Sequence, residues 1–270
     1  MSAPDRSGER LAPMFADCRA EGRAALVGYL PAGYPDVDAS ADAMVAMVRA
    51  GVDLVEVGVP YSDPVMDGPT IQGAAETALR AGFRLRDLLT VVGRIADAGG
   101  RAVVMSYWNP VLRYGVDAFA RDLAAAGGLG LITPDLVPDE ARGWLAASDA
   151  HGLDRVFLLA PSSSEERVAS TAEVSRGFVY AASTMGVTGA RDAVSSAAPE
   201  LVERIRRHSE VPVGVGLGVR SRAQAAEVAA YADAVIVGSA LVSALGEGTG
   251  ALESLVGELA EGVRTAAVTS

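Results

Sequence analysis

The residues whose types and spacing could do chemistry begin in Asp53–Gln72, which reads DLVEVGVPYSDPVMDGPTIQ. Glu56 lies inside an otherwise apolar run. In a filled interior a lone carboxylate loses its hydration and is strongly disfavoured unless paired or protonated. Near the C-terminal end of a strand it could instead face a pocket, where desolvation raises its pKa and suits it to proton transfer near neutral pH. The plainer alternative is a glutamate facing solvent on a strand edge. Eleven residues later Asp67 stands in the turn Met66-Asp67-Gly68-Pro69, just before a helix. Asp in such a turn is commonly a helix cap or an Asx-turn former. A second carboxylate on the loop that follows Glu56 would equally put two acids at one pocket mouth. Asp63, in Tyr61-Ser62-Asp63-Pro64, is a third acid there, either a turn residue or a partner contact.

Glycine clusters late in the chain are the next signal. Ser183–Arg191 reads STMGVTGAR, a flexible loop with backbone amides available to an anion. Gly214-Val-Gly216-Leu-Gly218 precedes Ser221, and Val237-Gly238-Ser239-Ala240 follows further on. Amides at a helix N-terminus point at a phosphate with the favourable end of the dipole. The run at 214–218 fails the dinucleotide fingerprint, because residue 219 is Val and the run lies late in the chain. Each cluster alone could be an ordinary turn between strand and helix. Their joint occurrence after the sixth, seventh and eighth candidate strands favours a phosphate site.

Other chemistries find little support. The single cysteine, Cys18, rules out an intramolecular disulfide and reads as a structural thiol in a helix. His151 and His208 form no metal-ligand spacing. A formal charge of −11 argues against a nucleic-acid surface, which would need clustered Lys and Arg. No apolar signal segment or membrane-length apolar window occurs, so a soluble cytoplasmic protein is expected.

The elements that must position these residues alternate along the whole chain. Candidate strands are Ala25–Leu30, Leu54–Val57, Ala102–Ser106, Leu129–Ile132, Val156–Leu159, Phe178–Ala181, Pro212–Val215 and Ala234–Val237. Helical spacing marks Ala39–Ala50, closed by Gly51, and Leu252–Val263; Ser221–Ala230 opens on a good N-cap residue. A further helix over Leu11–Ala20 could plug the bottom of a barrel. This alternation implies a parallel sheet covered by helices. A doubly wound sheet would read the same way, but eight units, 270 residues and late glycine-rich loops favour a single (β/α)8 barrel spanning 1–270, with an extra N-terminal helix.

Taken in order, Gly28-Tyr-Leu-Pro-Ala-Gly, Glu56–Gln72, Tyr107-Trp-Asn-Pro-Val-Leu-Arg-Tyr-Gly, Pro134-Asp-Leu-Val-Pro-Asp-Glu, Leu158-Leu-Ala-Pro, Gly186-Val-Thr-Gly-Ala-Arg and Val237-Gly-Ser-Ala resemble the signature blocks of tryptophan synthase alpha subunits. The resemblance implies a lyase that splits indole-3-glycerol phosphate into indole and glyceraldehyde 3-phosphate. It assigns Glu56 as the acid-base group, Asp67 as acceptor of the indole N–H, and Tyr180 as a neighbour of the reacting centre. Tyr29, Ile71 and Met105 would wall the indole. Gly189, Gly218, Gly238 and Ser239 would hold the phosphate, and Met185–Arg191 would form a mobile lid whose Thr188 contacts Asp67. The resemblance implies no metal or organic cofactor in this chain, pyridoxal phosphate belonging to a partner beta subunit in a tetramer of two alpha and two beta chains. The loops around Asp63-Pro64 and Asn109-Pro110 resemble those that touch that partner. Pro31 and Tyr34 stand where many relatives carry Thr and Asp, and Ser183-Thr184 replaces a frequent Ser-Arg. A stand-alone indole-releasing lyase would share these motifs. A non-catalytic activator of a beta subunit would have no need of Glu56, Asp67 and Thr188.

Overall fold

The computed structural model describes residues 9–182, 197–216 and 218–265. Helix α1 (Ala12–Ala20) leads into β1 (Ala25–Pro31), α2 (Val37–Ala50), β2 (Leu54–Gly58), α3 (Pro69–Arg80), α4 (Leu85–Asp97) and β3 (Ala102–Met105). Then come α5 (Trp108–Tyr114), α6 (Val116–Ala125), β4 (Gly130–Thr133), α7 (Arg142–His151), β5 (Asp154–Leu159), α8 (Glu165–Val174) and β6 (Val179–Ala182). The chain continues with α9 (Ala197–Arg206), β7 (Val213–Gly216), α10 (Arg222–Ala229), β8 (Ala234–Val237), α11 (Ser239–Glu247) and α12 (Thr249–Thr265). The eight strands pair in parallel, each with the next, and β8 returns to β1 to close the barrel. The doubly wound alternative is therefore excluded.

Closure sorts the side chains of every strand into two sets. Ala25, Val27, Leu54, Val103, Ile132, Val156, Phe178 and Ile236 fill the barrel interior, and alternate residues such as Leu26, Val55, Val57 and Val104 pack outward against the helices. Burial on both faces is why these strands read as continuous apolar runs. Helix α1 supplies the plug: Leu11, Met14, Phe15 and Cys18 join the interior cluster, and the Phe15 and Phe178 ring centroids lie 6.0 Å apart. Burial, with the negative charge of Asp53, pushes the Cys18 thiol up to about 11, as suits a structural thiol.

Element boundaries moved where side chains found partners. Helix α2 starts at Val37 because Asp36 caps it, accepting the Ala39 N–H at 2.8 Å; Gly51, at φ +118°, ends it. Strand β5 starts two residues before its apolar run. Asp154 is buried there because it accepts the N–H groups of Arg10 (3.1 Å) and Leu11 (2.8 Å), which ties the entry of α1 to the barrel floor. Beside it, the Arg155 guanidinium donates to Val174 O, Ser148 Oγ and Asp149. Strands β4 and β6 sit one residue later than their apolar runs suggest. Among the described residues, no helix is long and apolar enough to cross a membrane.

Candidate active site

Strand register sets Glu56 beside Tyr29 of β1 and Val103 of β3, with its side chain turned to the barrel interior. It is 1 % exposed, so the solvent-edge alternative is excluded. Its Oε2 has no hydrogen-bond partner among the described residues. Burial, reinforced by the nearby charge of Asp67, pushes this carboxyl up to about 8. A group so placed stays protonated at neutral pH and keeps one oxygen available to a substrate.

Asp67 occupies the loop between β2 and α3. It does not cap the helix: Gly68 is the N-cap residue, and no side-chain cap bond forms. Burial raises its carboxyl to about 6, and a hydrogen bond from the Tyr107 hydroxyl opposes that rise. The two acids are thus pushed apart, one neutral and one ionised at pH 7, the pattern that separates acid from anionic stabiliser in active sites. Tyr107 also organises the loop, since its hydroxyl accepts the N–H groups of Val65 (3.2 Å) and Met66 (3.0 Å). Gln72 holds the Asp67 carbonyl from below at 2.7 Å. The Tyr107 ring packs on Tyr61 at 5.2 Å, and Asn109 donates to the Tyr61 hydroxyl.

Two tyrosines flank the acids. Tyr29 and Tyr180 both have hydroxyls held well above their ordinary pKa by burial and by the charges of Glu56 and Asp67. Each lies across a glycine: a side chain at Gly58 would collide with Tyr29, and one at Gly216 with the Tyr180 hydroxyl. Tyr29, Asp67, Met105 and Tyr107 line one cleft at the barrel mouth, closed by Val59, Ser106 and Pro134. Beyond it Gly238 backs onto both Tyr29 and Ile71, since a Cβ there would lie 3.5 Å from the first and 3.7 Å from the second. The adjoining cavity, about 640 Å³, is lined by Gly218 and by Ser239 at the N-terminus of α11. Gly218 has φ +70°, a left-handed turn that glycine adopts without strain.

Of the residues singled out in the sequence, Glu56, Asp67, Tyr180, Tyr29, Ile71, Met105, Gly218, Gly238 and Ser239 converge on the C-terminal end of the barrel. Thr188, Gly189 and the rest of Met185–Arg191 lie outside the described residues. Sequence reasoning missed Tyr107 as the support of Asp67, although it opens a quoted block. It also missed the two glycines that accommodate the tyrosines. A glycine two residues after an inward acid on one strand, as Gly58 follows Glu56, was the available signal.

The family profile described as "Tryptophan synthase alpha chain" matches residues 15–269. A tryptophan synthase alpha chain from Mycobacterium marinum is 71% identical over 264 residues, covering 98% of each chain. A structure of Mycobacterium tuberculosis tryptophan synthase superposes with a TM-score of 0.93 at 71% identity, covering 95% of this chain and 98% of that one. A tryptophan synthase alpha-subunit variant from Pyrococcus furiosus gives a TM-score of 0.81 at 33% identity, covering 88% and 98%.

Proposed function

The chain belongs to the tryptophan synthase alpha chain family, and from that premise we propose how its own residues perform the reaction. The enzyme is a carbon-carbon lyase of tryptophan biosynthesis, cleaving indole-3-glycerol phosphate to indole and glyceraldehyde 3-phosphate. The bond to break joins indole C3 to the glycerol phosphate side chain, and indole leaves poorly unless C3 is protonated first. Glu56, neutral at pH 7, delivers that proton and turns the ring into an indolenine. As a carboxylate it then takes the proton of the side-chain hydroxyl. The O–H electron pair becomes the aldehyde C=O, the C–C bond breaks, and its electrons restore the indole ring. Glu56 ends the cycle protonated.

Asp67, ionised at pH 7, accepts the indole N–H and stabilises the positive charge that develops when C3 is protonated, a large effect in a pocket that excludes water. Tyr180 stands at the reacting centre, and Tyr29, Ile71 and Met105 wall the ring. Backbone amides of Gly189, Gly218, Gly238 and Ser239, with the Ser239 hydroxyl, hold the phosphate. The observation that carries this assignment is Glu56 itself: a buried carboxyl, one oxygen without a partner, kept neutral beside an ionised neighbour.

We further propose a single barrel domain over 1–270 that works in the cytoplasm, uses neither metal nor organic cofactor, and docks a pyridoxal-phosphate beta subunit in a heterotetramer of two alpha and two beta chains. Supporting the docking are exposed apolar residues that follow three consecutive strands. Val65 after β2 is 73% exposed, Leu112 after β3 is 58% exposed, and Val137 follows β4. Exposed apolar side chains that cluster mark interaction surfaces. The test is indole release from indole-3-glycerol phosphate by the purified chain, with and without a beta subunit. Slow release that rises many-fold with the partner is expected. Release unchanged by the partner would leave a stand-alone lyase, and no release in either condition would refute the assigned chemistry.

A further inference from the structure

The cavity beside Gly218 and Ser239 contains a formal positive charge that the scheme above does not use. Arg220 lines its wall, together with Pro69 and Thr70 at the head of α3, and it is the one cationic side chain among the described lining residues. Glu247 and Glu258, on α11 and α12, line the same cavity. We propose that Arg220 is a phosphate-binding residue that grips the substrate's phosphate from the solvent side and sets the affinity for phosphorylated substrates. This inference rests on the reading of Gly218, Gly238 and Ser239 as the phosphate cradle.

Charge is the first reason. A helix end and its amides offer roughly half a positive charge, whereas a phosphate monoester carries about −1.5 to −2 at neutral pH. The protein as a whole, at −11, repels such an anion. A guanidinium at the cradle supplies the missing countercharge, and its fork of donors matches two phosphate oxygens at once. Glu247 and Glu258 line the same cavity and repel the phosphate, which makes a cationic partner there the more necessary.

Placement is the second reason. Arg220 immediately precedes Ser221, the N-cap of α10, whose side chain accepts the Gln224 N–H at 3.3 Å. The Gln224 side chain in turn accepts the Arg220 N–H at 2.9 Å. This reciprocal pair fixes the backbone from which the arginine rises, two residues after the turn at Gly218. The side chain itself is exposed, so it reaches over the cavity and can be changed without disturbing the core.

The experiment compares the full-length wild type with Arg220→Ala, Arg220→Lys and Gly238→Val. It measures kcat and KM for indole-3-glycerol phosphate and, independently of turnover, the Kd for inorganic phosphate from protection against thermal unfolding. Arg220→Ala should raise both KM and the phosphate Kd by about tenfold, as loss of a charged hydrogen-bond partner implies, with a much smaller change in kcat. Arg220→Lys should recover part of the loss, and added salt should shrink the difference between wild type and Arg220→Ala. Unchanged constants in Arg220→Ala, with both raised in Gly238→Val, would overturn the role of Arg220 and leave the cradle standing. Unchanged constants in both variants would overturn the cradle and the proposal together. A fall in kcat alone would also overturn it.

Discussion

Replacing Glu56 by Gln should make the protein more stable, and increasingly so as pH rises. The folded state holds the Glu56 proton up to about 8, while the unfolded chain releases it near the ordinary value of 4.5. Between these two values the folded state binds one more proton than the unfolded state, so stability falls as pH increases. The full stabilisation is present below 4.5 and is lost by the time pH has passed through about 8. A span of 8 − 4.5, at roughly 1.4 kcal/mol per pH unit, amounts to about 5 kcal/mol, comparable to the entire stability of many domains. Glutamine keeps the shape and has no proton to lose. The assay is urea unfolding of wild type and Glu56→Gln from pH 5 to 9.5, read as the difference between the two free energies at each pH. Subtraction cancels every other titrating group the two proteins share. The difference should grow in favour of Glu56→Gln as pH rises and level off above about 8.5. Two curves that stay parallel over the whole range would refute a buried neutral Glu56, and with it the acid role.

The supports of the site make further predictions. Tyr107→Phe strips the hydroxyl that lowers the Asp67 pKa and holds the Val65 and Met66 amides, so the acid limb of kcat/KM should move upward from about 6; a limb that stays put contradicts the role given to that hydroxyl. Gly216→Ala pushes a methyl group against the Tyr180 hydroxyl, and kcat/KM should fall by about tenfold or more with a stability loss of roughly 1–3 kcal/mol. Asp154→Ala leaves the Arg10 and Leu11 amides without an acceptor at the barrel floor; its urea midpoint should drop by the equivalent of about 2 kcal/mol, with little change in KM.

The barrel was legible in the sequence because parallel strands buried on both faces leave uninterrupted apolar runs, and all eight expected strands form. Boundaries were less legible wherever a distant residue decided them. Nothing near Asp154 announces that the amides of Arg10 and Leu11 will meet it, so its strand reads as starting at Val156. Asp36, by contrast, is a visible cap, and the start of α2 could have been placed there. Glu56 was readable because an acid in an apolar strand is costly and calls for an explanation. Asp67 was ambiguous, since a turn aspartate before a helix looks the same whether it caps or not; only the Gly68 N-cap and the Tyr107 hydroxyl separate the two cases. Tyr107 itself is recognisable in a motif, but its task depends on a loop some forty residues earlier, which spacing does not reveal. The exposed apolar residues Val65, Leu112 and Val137 likewise share an end of the barrel only because the strand order makes the segments after β2, β3 and β4 neighbours.

The central claim is that a neutral Glu56 and an ionised Asp67 together cleave the indole-to-glycerol bond. Its most direct test is kcat/KM for indole-3-glycerol phosphate between pH 5 and 9.5, in wild type and in Glu56→Gln. Wild type should show a bell with limbs near 6 and 8, and Glu56→Gln should lose about 10²- to 10⁴-fold activity together with the alkaline limb. A Glu56→Gln protein that keeps wild-type turnover and the same alkaline limb would contradict the account.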